Sequence, residues 1–98
     1  MADEQYQNWI WHTLYMLERR NAQKGKIIGM VTREELIQTI QELEKEGWER
    51  ATDLEKEDGE IDPPRTKVQI ANAIRGLRGR TLIREYKNKD GIKCLRTL

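Results

Sequence analysis

The 98 residues include 18 Lys or Arg, 17 Asp or Glu and one His, for a formal net charge of +1. Charged residues make up 36% and hydrophobic residues 37%, against roughly 25% charged in an average globular domain; this suits a single folded, highly soluble domain over 1–98 and excludes a second. One cysteine, Cys94, excludes an intramolecular disulfide and a cysteine-rich zinc site, and no apolar run approaches the about 18 residues of a spanning helix.

The near-neutral total hides a separation of sign. Residues 1–64 carry eight bases and fifteen acids, net −7, while residues 65–98 carry ten bases against Glu85 and Asp90, net +8. Asymmetry of this size points to a polyanion-facing surface. The acidic, polar start MADEQYQNW is unlike a signal peptide, and the expected location is cytoplasmic.

In chain order, residues from about Glu4 to Ala22 read as a helix with a broad apolar face of Tyr6, Trp9, Ile10, Thr13, Leu14, Met16 and Leu17. Glu18, Arg19 and Arg20 continue it toward solvent, and Gly25 supplies a stop. Trp11 and Tyr15 fall on the opposite side. They form either a contact for a partner protein or a second copy of the chain, or a pair sheltered by the acidic segment or the C-terminus. Lys26–Val31 is short, apolar and β-leaning, and needs a distant strand, for which the C-terminal hairpin is the candidate.

Thr32 and Glu35 form a capping-box pattern opening a second helix, with Leu36, Ile37, Ile40 and Leu43 inward and Gly47 as its stop. The acidic stretch 48–64 then reads as an insertion and solvated loop. Trp48, Ala51 and Leu54 allow one further helical turn against the core, and Asp58–Gly59 a turn. Thr66 and Gln69 repeat the capping-box pattern for a third helix ending near Gly79, which buries Ile70, Ala73, Ile74 and Leu77. Thr81–Tyr86 and Ile92–Thr97 read as strands joined through Asp90–Gly91, a hairpin signal. The adjacent pairs Leu82/Ile83 and Cys94/Leu95 leave the buried face of each strand open.

The order helix, short strand, helix, helix, strand, lysine-bearing turn, strand resembles the winged helix-turn-helix family of DNA-binding domains. The resemblance is carried by the Thr32-capped second helix, the Thr66–Arg78 third helix and LIREYKNKDGIKCLRTL as the wing. It covers residues 6–98 by order and pattern, with no invariant motif. The family often joins its second and third helices by a tight turn, whereas Trp48–Arg65 intervenes here. That connection is similar to the longer one in N-terminal domains of Mrr-type restriction proteins. The resemblance implies an α+β winged helix of three helices, a short strand and a C-terminal β-hairpin wing. It also implies a third helix in the major groove of double-stranded DNA, with the wing on backbone or minor groove.

The residues lead to the same surface. Opposite the buried face of the third helix lie Val68, Gln69, Asn72 and Arg75; Gln and Asn suit adenine, Arg guanine, and Val a thymine methyl. Gly76 on that side allows close approach of a backbone. Arg65, Thr66, Lys67, Arg78, Arg80, Lys87, Asn88, Lys89 and Lys93 suit phosphates. An ordinary solvated helix face accounts for Gln69 and Asn72, but less well for thirty-four residues with two acids.

Catalytic chemistry finds little footing. His12, the single histidine, has no evident nucleophile or orienting partner, and Cys94 reads as a small buried hydrophobe in a strand. The acids of 55–62 lack the order of a calcium loop, and Gly76 and Gly79 are too sparse for a phosphate loop. The expectation is a non-enzyme without cofactor or metal that binds DNA, as a transcription regulator or a DNA-reading module. The alternative is a protein-interaction or dimerisation module working through Trp11 and Tyr15.

Overall fold

The computed structural model describes residues 3–23, 30–54 and 64–98. They form α1 (Asp3–Gln23), β1 (Val31–Thr32), α2 (Arg33–Leu54), α3 (Lys67–Gly79), β2 (Ile83–Lys87) and β3 (Lys93–Thr97). The fold is α+β, with a three-stranded antiparallel sheet in the order β1-β3-β2. The expected Gly25 stop, the start of the first strand at 26–29 and the Asp58–Gly59 turn lie outside the described residues. Among the described residues, no helix is long and apolar enough to cross a membrane.

The core is shared by all three helices and the sheet: Ile10, Leu14 and Leu17 from α1, Leu36, Ile37 and Ile40 from α2, Ile70, Ile74 and Leu77 from α3, and Val31, Ile83 and Leu95 from the strands. On α1 the buried face is narrower than the sequence pattern implied. Trp9 is 38% and Met16 62% exposed, because both lie about 100° or more from Ile10 around the helix. Glu18, expected toward solvent, accepts hydrogen bonds from Thr97 N and Oγ1 at 2.6 and 2.9 Å, tying α1 to the end of β3. Asn21, read as part of a helix end, is buried inside α1 and donates to the Met30 carbonyl at 3.0 Å.

Thr32 caps α2 by accepting from Glu35 N at 3.0 Å. The Glu35 carboxylate, however, turns to Asn21 and Arg20 of α1. The helix does not stop at Gly47 but runs to Leu54, so the further helical turn forms and residues 48–54 are helix and not loop. Glycine in a helix interior costs about 1 kcal/mol relative to alanine, too little to interrupt the strong helix formers around it. Leu43, expected inside, is 39% exposed.

Thr66 opens α3 with a complete capping box: its hydroxyl accepts from Gln69 N, and the Gln69 side chain accepts from Thr66 N at 2.8 Å. After Gly79 the chain reverses through Thr81, which takes φ 58, and Leu82 lies before β2. The two unsettled strand faces resolve by register. Ile83 pairs with Thr97 and Glu85 with Leu95 on the core side, whereas Tyr86 pairs with Cys94 on the other face. Val31 pairs with Leu95, so the short strand is held by the hairpin, as expected.

Candidate nucleic-acid interface

The capped α3, its entry and the β2–β3 hairpin carry the bases of residues 65–98, and strand register determines how those of the hairpin face one another. Arg84 faces Arg96 and Lys87 faces Lys93 across the two strands, so each face of the hairpin carries a like-charge pair. Directly opposed like charges destabilise an antiparallel pair. The Lys87–Lys93 pair shares the face of Glu85 and Leu95, the face turned toward α3. Lys89 lies in the turn and is exposed.

Not all ten bases of 65–98 are available. Arg65 pairs with Glu44 of α2 at 3.1 Å and lies 3.8 Å over the Tyr6 ring. Its backbone N–H also donates to Glu44 at 3.0 Å. Lys67 pairs with Glu34 at 2.9 Å, Arg78 with Glu85 at 3.1 Å and Arg80 with Glu4 at 3.5 Å. Arg75, Arg84, Lys87, Lys89, Lys93 and Arg96 have no ion pair among the described residues. The expected phosphate set thus divides: Lys87, Lys89 and Lys93 are open, while Arg65 is a staple joining α1, α2 and the start of α3.

Four further residues serve the fold itself. Thr66 and Gln69 are engaged with each other at the cap, so Gln69 does not present its carboxamide oxygen to a base. The Asn88 side-chain oxygen accepts from Asp90 N at 2.9 Å and Ile92 N at 3.0 Å, and Gly91 takes φ 75. Asn88 therefore builds the turn. The space beside Gly76 is filled by Gln7 of α1, which also accepts from Arg80 at 2.8 Å. Gly76 admits a neighbouring helix there.

What remains on the outer face of α3 is a stripe of Val68, Asn72 and Arg75, all exposed, with Val68 at 69%. Beside it a cavity of about 320 Å³ opens between α3 and the sheet. Arg33, Arg75, Arg78 and Lys93 line it with Glu85, over a floor of Ala71 and Ile74. Sequence reasoning missed Arg33 because it lies outside the basic segment. The pairing of Thr32 with Cys94 brings Arg33 to the level of Lys93, and that register is not written in any local pattern.

On α1, the Trp11 indole N–H donates to the Leu82 carbonyl at 3.0 Å and the ring packs against the core, so Trp11 is half-buried beside the segment that leads into β2. Tyr15 is 41% exposed, stacked on Trp11 at 5.7 Å with Arg19 beside it. His12 is exposed against the edge of Trp11. Cys94 is fully buried, and burial pushes its thiol pKa up, which disfavours the thiolate a reactive cysteine needs. Comparison of the chain with protein-family models, curated proteins and solved structures finds no match.

Proposed function

We propose that the chain binds double-stranded DNA as a winged helix, with α3 in the major groove and the hairpin along the backbone, as a transcription regulator or the reading module of a larger machine. The observation that carries this reading is the Lys87–Lys93 pair opposed across the hairpin, with Lys93 and Arg75 lining one cavity on the α3 side: cations in no ion pair among the described residues suit a line of phosphates. Val68, Asn72 and Arg75 read base edges, Asn pairing with adenine and Arg with guanine. Lys87, Lys89 and Lys93 position the duplex without reading it. Binding measured on a panel of duplexes tests this division. Arg75→Ala narrows the affinity difference between preferred and other sequences by about 1–3 kcal/mol, and Lys89→Ala weakens all sequences alike. Equal effects of the two variants on every sequence would argue against base reading by α3.

A second reading, an interaction or dimerisation module, is favoured by Trp9, Tyr15 and Met16, large apolar side chains left exposed on α1. Light scattering separates the two: a monomer that binds duplex excludes self-association through α1 as the primary role.

A further inference from the structure

The cavity between α3 and the hairpin has a composition that an ordinary solvated face does not explain. Arg33 from the start of α2, Arg75 and Arg78 from α3 and Lys93 from β3 meet around one space of about 320 Å³. These bases come from three elements distant in sequence, so helical periodicity does not gather them. Among the described residues, Glu85 is the one acid lining the space, and it holds Arg78 at 3.1 Å. Arg33, Arg75 and Lys93 have no ion pair among the described residues. Three uncompensated cations around one cavity repel each other and attract an anion. The floor of Ala71 and Ile74 is small and apolar, leaving the polar contacts to the walls.

We infer that this cavity is a seat for a single phosphate group, bound by Arg33 and Lys93 beside the base-reading Arg75, with Glu85 acting as a built-in competitor that withholds Arg78. A phosphate oxygen arriving at Arg78 takes the place of the Glu85 carboxylate, since both offer the guanidinium the same paired acceptors. The resident acid thereby lowers affinity for anions that reach only Arg78 and favours one that engages several walls at once. The inference rests on the duplex-binding reading only for the source of the phosphate, a DNA backbone or a free phosphate ester. Arg84 and Arg96 are opposed on the other face of the sheet and serve as internal controls.

The test titrates inorganic phosphate into the whole protein, following arginine and lysine side-chain resonances, and measures duplex affinity against salt for the same variants. Phosphate should shift the signals of Arg33 and Lys93 together and saturably, leaving those of Arg84 and Arg96 in place. Glu85→Gln should tighten phosphate by about 2- to 5-fold, the range set by a partly exposed ion pair. Arg33→Ala should weaken phosphate binding and lower the duplex salt slope by about 0.9, one phosphate contact. Uniform, unsaturable shifts across all basic side chains, with Glu85→Gln neutral, would overturn the inference. So would duplex binding whose salt slope Arg33→Ala leaves unchanged. A saturable phosphate site in a protein that binds no duplex at any salt supports the seat with a free phosphate ester as its source, and removes the DNA reading instead.

Discussion

At the scale of single residues, polar side chains of one type do different work according to what faces them. Gln69 and Asn72 are three positions apart on α3, yet Gln69 closes the Thr66 cap while Asn72 points outward. Asn88 and Lys89 are neighbours in the turn, yet Asn88 accepts two backbone N–H groups and Lys89 is exposed. The sequence carried both roles for Gln69, a capping partner and a base contact, and the cap takes its side-chain oxygen. Buried ionisable groups give a prediction at this scale. Burial raises the pKa values of Cys94 and Tyr86 above their usual ones, and burial with the Glu44 charge does so for Tyr6. The unfolded chain therefore loses these protons first, so it binds fewer protons than the folded chain once pH passes the unfolded values. Stability is full below about pH 9 and falls as pH rises above it. Denaturant midpoints measured from pH 7 to 10.5 should decline beyond pH 9, and Cys94 should resist thiol reagents until the protein unfolds. A flat profile together with rapid native labelling of Cys94 would count against this burial.

Elements were legible where local chemistry decided them. The caps at Thr32 and Thr66, the apolar spacing of Ile70, Ile74 and Leu77, and the Asp90–Gly91 turn all act within a few residues. Errors arose where a long-range balance decided. Gly47 read as a stop, but α2 passes through it to Leu54 because one glycine does not outweigh the helix formers on both sides. Trp9 and Met16 read as core, but the α1 face that meets both α3 and the sheet is centred on Ile10, Leu14 and Leu17. The continuity of α2 is testable. A Cβ added at Gly47 meets nothing within 4 Å, so Gly47→Ala should stabilise the protein by about 0.5–1 kcal/mol. Thermal unfolding should show a higher midpoint for the variant. An unchanged or lower midpoint would mean that the helix does not run unbroken through this position.

At the scale of the whole molecule, the charge separation along the chain is partly undone by folding. Glu4, Glu34 and Glu44, all outside the basic segment, pair with Arg80, Lys67 and Arg65. The acids of α1 and α2 therefore neutralise the ends of α3, and the unpaired cations concentrate on its outer stripe and the hairpin. Composition revealed the excess of charge, but not its sorting into staples and open cations, which depends on how α1, α2 and the sheet close around α3. Arg33 joined that surface only through the pairing of β1 with β3. The central claim is that this sorted surface meets the phosphates of a duplex. Its most direct test is the affinity of the protein for duplex DNA as a function of salt. If Lys87, Lys89 and the phosphate seat of Arg33 and Lys93 each neutralise one phosphate, log affinity should fall with log salt at a slope of about −2.7, near 0.9 per contact. A slope near zero, or no duplex binding at low salt, would contradict the account.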